Sequence, residues 1–277
     1  MPTASLLAGL PRRKEQMRTL ICSAIKGGVG KTTVTAGLGR ALARRGYKVA
    51  YLDCDFFAPN LNVELGANGE LTGTGSGQII PVVTPEGFEL VSMGSVYVPD
   101  QAVTLSEEAA IPQITELLRP GEIRWNSPDF LLIDTAPTSG AVIQASLNAP
   151  DLLGTIIITH PSRMARADLL RSLSLMRDKR IPIFGVVVNQ AYWECLCGHR
   201  EATFDLTPED IEEACRPWGV EVVGVIPHSR DLAGHFDALA ERVLVATPVV
   251  VPEEPKPSRL GRRLMDLVSK ALERRGI

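Results

Sequence analysis

The chain has 277 residues, of which 45% are hydrophobic and 22% charged, and its formal net charge is −3. That is enough chain for one large or two small domains, with ample apolar material for a core. The charge excludes a globally basic nucleic-acid binder, and no run nears the roughly 18–20 apolar residues of a membrane span. Residues 1–18 lack signal-peptide order, because the basic cluster Arg12-Arg13-Lys14 follows the apolar stretch. A cytoplasmic protein is expected. Five cysteines, an odd number, do not suggest a disulfide framework and read as buried thiols or metal ligands.

Short apolar runs rich in β-branched residues recur at 19–24, 48–52, 87–92, 130–133, 154–159, 183–188 and 221–225. Several are apolar on both faces, as buried parallel strands are. Helical patterns lie between them: Val34, Leu38 and Leu42, then Leu169, Leu173 and Met176. The alternation predicts an α/β fold, a doubly wound and mostly parallel sheet flanked by helices. Residues 66–77 are rich in Gly, Thr and Asn and read as a flexible loop. The expected organisation is a tail at 1–18, a domain at 19–246, a Pro-rich extended linker at 247–258 and a basic amphipathic helix at 259–277. From Lys256 onward there are seven Lys/Arg and two Asp/Glu, a net +5 that leaves −8 for the rest.

The strongest signal is Lys26-Gly27-Gly28-Val29-Gly30-Lys31-Thr32-Thr33, between a predicted strand and a predicted helix. Glycines expose backbone N–H groups to a phosphate, and the helix N-terminus adds its positive end. Lys31 can reach the β- and γ-phosphates, and the Thr32 hydroxyl can bind Mg²⁺. Asp53-Cys54-Asp55 ends the second strand, with Asp53 and Asp55 on one side by alternation. Carboxylates at a strand's C-terminal end beside such a loop suit Mg²⁺ and water chemistry. Asp134 closes the apolar run 130–133 and reads as the water–Mg²⁺ ligand of a phosphate-loop ATPase. In each case the bland alternative is an aspartate capping a turn.

Cys195-Leu196-Cys197-Gly198-His199 puts two thiols one residue apart, both able to face one metal. Soft thiolates select zinc, copper(I) or iron–sulfur. One chain supplies two thiolates, or three soft ligands with His199, whereas a closed tetrahedral site needs four. A homodimer would supply four cysteines at its two-fold axis. Cys22 on the first strand and Cys215 on the helix opened by Pro208 read as structural. His160, His199, His228 and His235 form no catalytic constellation.

The loop departs from the ordinary pattern, which wants Gly where Ile25 stands, and it places Lys26 before the glycines. In this it resembles the ParA/MinD group of P-loop ATPases. The resemblance implies that Lys26 reaches across a homodimer interface to the partner's nucleotide. It also implies that Asp55 orients the attacking water, that Asp53 sits in the outer Mg²⁺ shell, that Asn189 reads the adenine edge, and that Pro227 wraps the base. Within the group, the chain resembles the Mrp-type branch of ATP-binding iron–sulfur carriers. The likeness runs through Asp53-Cys54-Asp55-Phe56-Phe57-Ala58-Pro59-Asn60, Leu90-Val91-Ser92-Met93-Gly94, residues 129–134, His160-Pro161, and Gly185-Val186-Val187-Val188-Asn189 ahead of the cysteines. That branch carries Cys-Pro-x-Cys here and bridges a [4Fe–4S] cluster between two subunits. This chain's spacing is one residue shorter. Its Ala136-Pro137-Thr138-Ser139-Gly140-Ala141 and Thr104-Leu105-Ser106-Glu107 also depart from the branch.

The resemblance implies an Mg-dependent ATPase, a homodimer switched by nucleotide, carrying or assembling a cluster for apo iron–sulfur or other metalloprotein clients. The alternatives are a MinD-like positioning ATPase whose C-terminal helix binds anionic membrane, and a chaperone or metallocentre maturation factor clasped by zinc.

Overall fold

The computed structural model describes residues 17–56, 58–95, 107–136, 145–146, 149–195 and 197–252. The tail 1–16, residues 104–106 and 137–141 and the helix expected at 259–277 lie outside the described residues.

The chain opens with β1 (Arg18–Ser23), α1 (Lys31–Arg44) and β2 (Val49–Cys54). Next come the short α2 (Leu61–Glu64), β3 (Thr72–Gly73), β4 (Ile79–Ile80), β5 (Val82–Val83) and β6 (Glu89–Ser92). The second half holds α3 (Glu107–Leu117), β7 (Phe130–Thr135), β8 (Leu152–Thr159), α4 (Arg163–Asp178) and β9 (Ile183–Val188). It closes with β10 (Trp193–Glu194), β11 (Arg200–Glu201), α5 (Pro208–Cys215), β12 (Val222–Val225) and α6 (Ala233–Val245).

Eight strands form one sheet in the order β12-β9-β8-β1-β7-β2-β6-β5. Every pairing is parallel except β5 with β6 at one edge. Period-two alternation splits each inner strand between two cores: Leu20 and Cys22 face one, Ile21 the other. α1 and α6 cover the first face. α3 covers one part of the opposite face, and α4 and α5 cover another. Val34, Leu38 and Leu42 of α1 are fully buried, each contributing roughly 1.5–3 kcal/mol. Gly37 lets α1 and α6 approach closely, because a Cβ there would collide with the Phe236 ring.

The doubly wound reading holds, with three differences of detail. β7 runs through Asp134 and Thr135 rather than stopping at Ile133, because it pairs on both sides with β1 and β2. The loop expected at 66–77 contains β3, paired antiparallel with β4. The expected linker begins docked: Val249 exchanges two 2.8 Å backbone hydrogen bonds with Ile183, and Val251 is buried.

Candidate nucleotide site and cysteine hairpin

The order of strands decides where a ligand can sit. β1 lies between β8 and β7, so the chain departs to opposite sides at the C-terminal end of β1. Ligands of open α/β sheets bind at such a switch point. The phosphate loop emerges there and feeds α1.

Gly30 caps α1 in the left-handed region, at φ 84°. A side chain at this position would be strained and would also strike Asn189 Nδ2. No acidic residue stands in the first turn of α1, so its positive end is left for an anion. Lys31 is buried, and Lys26 is half-buried at the start of the loop.

The sheet register brings the carboxylates together. Asp53 of β2 and Asp134 of β7 are direct partners in the parallel ladder. Both are nearly inaccessible, at 1% and 2% exposure. Asp53 Oδ1 accepts from the Asp55 N–H at 3.0 Å, and its Oδ2 accepts from Ser92 Oγ at 3.0 Å and the Leu61 N–H at 3.2 Å. Asp134 Oδ2 accepts from the Thr32 hydroxyl at 2.6 Å. Its Oδ1 is buried with no hydrogen-bond partner among the described residues.

Burial first, then the Asp134 charge, pushes Asp53 up to about 8. Burial also pushes Asp134 up to about 6, against the Thr32 hydrogen bond and the Lys31 charge, which pull it down. Two adjacent buried carboxylates, one with an oxygen that no described residue bonds, match the donor set of a hard divalent cation. Mg²⁺ therefore fits here, with Thr32 and Asp134 as direct ligand candidates and Asp53 behind them. Asp55 is half-buried, and its Oδ1 accepts from the Ala58 N–H at 3.0 Å, so it also caps the turn it starts.

Asn189 ends β9 and is buried. Its Nδ2 donates to the Val29 carbonyl in the phosphate loop at 2.8 Å, and its backbone N–H donates to the Thr159 carbonyl at 2.7 Å. Thus Asn189 braces the loop, a contact that sequence reasoning missed. Pro227 is buried in the neighbouring segment, where Ile226 exchanges backbone hydrogen bonds with Val188 and Ala191.

The cysteines stand on a hairpin rather than in an open loop. β10 and β11 pair antiparallel, Trp193 opposite Glu201 and Glu194 opposite Arg200. The Cys195 N–H donates to the His199 carbonyl at 3.1 Å, and the Gly198 N–H to the Cys195 carbonyl at 2.9 Å. Cys195 is half-buried and Cys197 exposed. Their Cα atoms are 5.3 Å apart, and the sulfurs are joined as a disulfide. This corrects the expectation of five unpaired cysteines: the turn places both side chains on the same side, within bonding reach. The pair can take a metal only when reduced. Cys22, Cys54 and Cys215 are free and buried, and burial raises each thiol, Cys22 and Cys215 to about 12. They are poor nucleophiles and poor ligands. Among the described residues no three His, Cys, Asp or Glu side chains gather closely enough to hold a metal ion. His199 is exposed beside the pair without completing such a group.

The profile of the family described as NUBPL iron-transfer P-loop NTPase, of the ParA type, matches residues 16–253. The chain belongs to this family. Relatives agree with the assignment. The iron-sulfur cluster carrier protein of Pyrococcus horikoshii is 31% identical over 265 residues, 91% of this chain and 85% of the relative. That of Aquifex aeolicus is 30% identical over 224 residues, 80% of this chain and 60% of the relative. The chain thus spans about three-fifths of some of the curated relatives it matches. Among solved structures, a nucleotide-binding protein from Archaeoglobus fulgidus in complex with ADP superposes with a TM-score of 0.61. It is 26% identical, with 81% of this chain and 87% of that one covered. The cell division ATPase MinD of Pyrococcus furiosus shares the fold, with a TM-score of 0.59 at 22% identity, covering 82% and 98%. No helix among the described residues is long and apolar enough to cross a membrane.

Proposed function

We propose that this NTPase is an ATP-hydrolysing homodimeric switch that carries or assembles an iron–sulfur cluster for client proteins. The observation that carries the reading is continuity. The cysteine hairpin grows out of the strand end at Asn189, whose side chain holds the phosphate loop.

In this reading Lys31 and the backbone N–H groups of residues 27–33 bind the phosphates of ATP. Thr32, Asp134 and Asp53 hold Mg²⁺, which when bound offsets phosphate charge and the repulsion between the two carboxylates. Asp55 orients the attacking water. Lys26 acts in trans on the partner's nucleotide, by the logic of an arginine finger. Asn189 and Pro227 flank the base. Cys195 and Cys197, reduced, supply half of a four-thiolate site, and a second copy supplies the rest. The cluster is cargo, passed to an apo-protein.

The test is anaerobic reconstitution of the reduced protein with iron and sulfide. Absorption spectrum and metal content are read beside a Cys195→Ser, Cys197→Ser double variant. A thiolate-dependent cluster shared by two chains is the expected result. Tightly held zinc, or equal iron in the double variant, would overturn the carrier reading and leave the nucleotide site standing.

A further inference from the structure

One ring at the nucleotide end has no part in the chemistry above. His160 follows β8 directly and is only 6% exposed. Its Nδ1 is buried without a hydrogen-bond partner among the described residues. Its ring lies flat on Phe204, with centroids 4.2 Å apart and planes 5° from parallel. Burial, and next the positive charge of Lys26, depress its basicity, so the ring that stacks is neutral imidazole.

Phe204 belongs to the stretch leading out of the hairpin, from β11 to α5. That stretch is fastened to the nucleotide end of the sheet at three other points. Thr203 Oγ1 donates to the Gln190 carbonyl at 2.9 Å. The Leu206 N–H donates to the Pro161 carbonyl at 3.0 Å. Asp205 accepts from the Arg163 N–H at 3.2 Å and pairs with its guanidinium at 3.1 Å. The entry to the hairpin is fastened as well, through Asn189 to Val29 and Thr159. Between these two anchors the hairpin has two residue pairs of its own among the described residues and meets the backbone of His228, and Gln190 at its base is held at φ 51°. Non-glycine residues rarely adopt that conformation, and it is the kind of joint that changes when its neighbours move.

We propose that His160 is a positioning residue which, through its stack on Phe204, makes the setting of the Cys195–Cys197 hairpin depend on the nucleotide state of the phosphate loop. The proposal rests on the nucleotide-switch reading and specifies how that switch reaches the thiols. When the phosphate loop closes on nucleotide, Asn189 follows it, because its side chain holds Val29 and its N–H holds the Thr159 carbonyl next to His160. The ring then shifts against Phe204, and the exit strand follows. An edge connection of this kind suits a small bistable element, because flat ring faces slide at little cost while the buried strands beneath do not.

The thiols provide the readout. With Cys22, Cys54 and Cys215 buried, a chromogenic aromatic disulfide reagent reports Cys195 and Cys197 alone in the reduced, metal-free, full-length protein. The nucleotide probe is a slowly hydrolysed ATP analogue with Mg²⁺, and its affinity is measured separately by a fluorescent analogue. The wild type is expected to change its thiol reaction rate at least about threefold when nucleotide is added. Phe204→Leu removes the flat partner and should bring that change to within about 1.3-fold, with nucleotide affinity kept within about twofold. Phe204→Tyr keeps the ring and should restore the response. His160→Ala should behave like Phe204→Leu, and melting curves confirm that the variants fold. A full response in Phe204→Leu overturns the inference, and so does a wild type that binds nucleotide with no change in thiol rate. Failure to bind nucleotide at all overturns the switch reading and this inference with it.

Discussion

The phosphate loop and the cysteine hairpin lie far apart in the chain and are linked in the fold through Asn189, yet they are built on opposite plans. The loop rises from a strand paired on both sides, and its carboxylates are locked in the ladder with 1–2% exposure. The hairpin has two residue pairs, two backbone hydrogen bonds with His228, and a cover of exposed side chains: Arg200 bonds Glu194 at 2.7 Å and lies 4.8 Å over the Tyr192 ring. Exposed ion pairs of this sort contribute little, because water screens them. The first region is preorganised and stiff, as phosphate chemistry requires. The second lies at the low-stability end of the molecule, where elements that bind and release are found. A carrier needs both, and needs them connected.

The sharpest way to separate the two regions is Lys31→Ala. Losing the buried ammonium proposed to face the phosphates should weaken ATP binding by roughly two or more orders of magnitude, read by calorimetry. Reconstituted metal per chain should stay at the wild-type level. If metal falls as steeply as nucleotide binding, the regions are not separate modules and the comparison fails.

A smaller effect on ATP affinity sharpens the comparison from the dimer side. Lys26→Ala should keep ATP affinity within about threefold, because Lys31 and the backbone N–H groups remain. Hydrolysis should drop by roughly 10³-fold or more, the scale of a cation supplied in trans. Nucleotide-driven dimerisation, followed by light scattering, should disappear. Wild-type turnover in this variant would remove the trans role.

How far the sequence foretold each region follows from the same difference. The strand–loop–helix run from Arg18 to Arg44 was legible because its residues are adjacent and its periodicity is long. The identities of Asp53, Asp55 and Asp134 were legible too. Their pairing was not, since β2 and β7 meet only in the folded sheet, and nothing local in the chain specifies that register. The hairpin and the β3–β4 pair escaped reading because two-residue strands are too short to show an alternation. The role of Asn189 as a brace escaped for another reason. An amide at a strand end can serve a base, a backbone carbonyl or both, and the bond of its Nδ2 to Val29 is visible only in the fold. Val249 and Val251 looked like linker because prolines surround them, but the backbone pairing of Val249 with Ile183 and the burial of Val251 override that composition.

The smallest predicted effect concerns the stiff region alone, and its sign can be worked through. Asp53 and Asp134 ionise in the folded protein near 8 and 6, against an ordinary value of 3.8. A raised carboxyl pKa means that the folded chain retains protons that the unfolded chain has already released. Stability then falls as pH rises, beginning near pH 4 and ending near pH 8. Below pH 4 both states are protonated and the pair adds no slope. Asp237, held low by Arg44 and Arg45, acts in the opposite direction, but its window lies below pH 4 and does not overlap. The nucleotide-free protein should therefore melt at lower denaturant at pH 8 than at pH 5.5. Asp134→Asn should flatten that slope and stabilise the protein at pH 8 by on the order of 1–3 kcal/mol, using about 1.4 kcal/mol per unit of pKa. It should do so while weakening Mg-nucleotide binding, since the idle Oδ1 is the oxygen the cation would use. Adding Mg-nucleotide to the wild type should flatten the slope as well, because the bound form is the ionised form. A wild type whose stability rises from pH 5.5 to pH 8 without nucleotide would show that the two carboxylates are not held apart from solvent as the ladder holds them here.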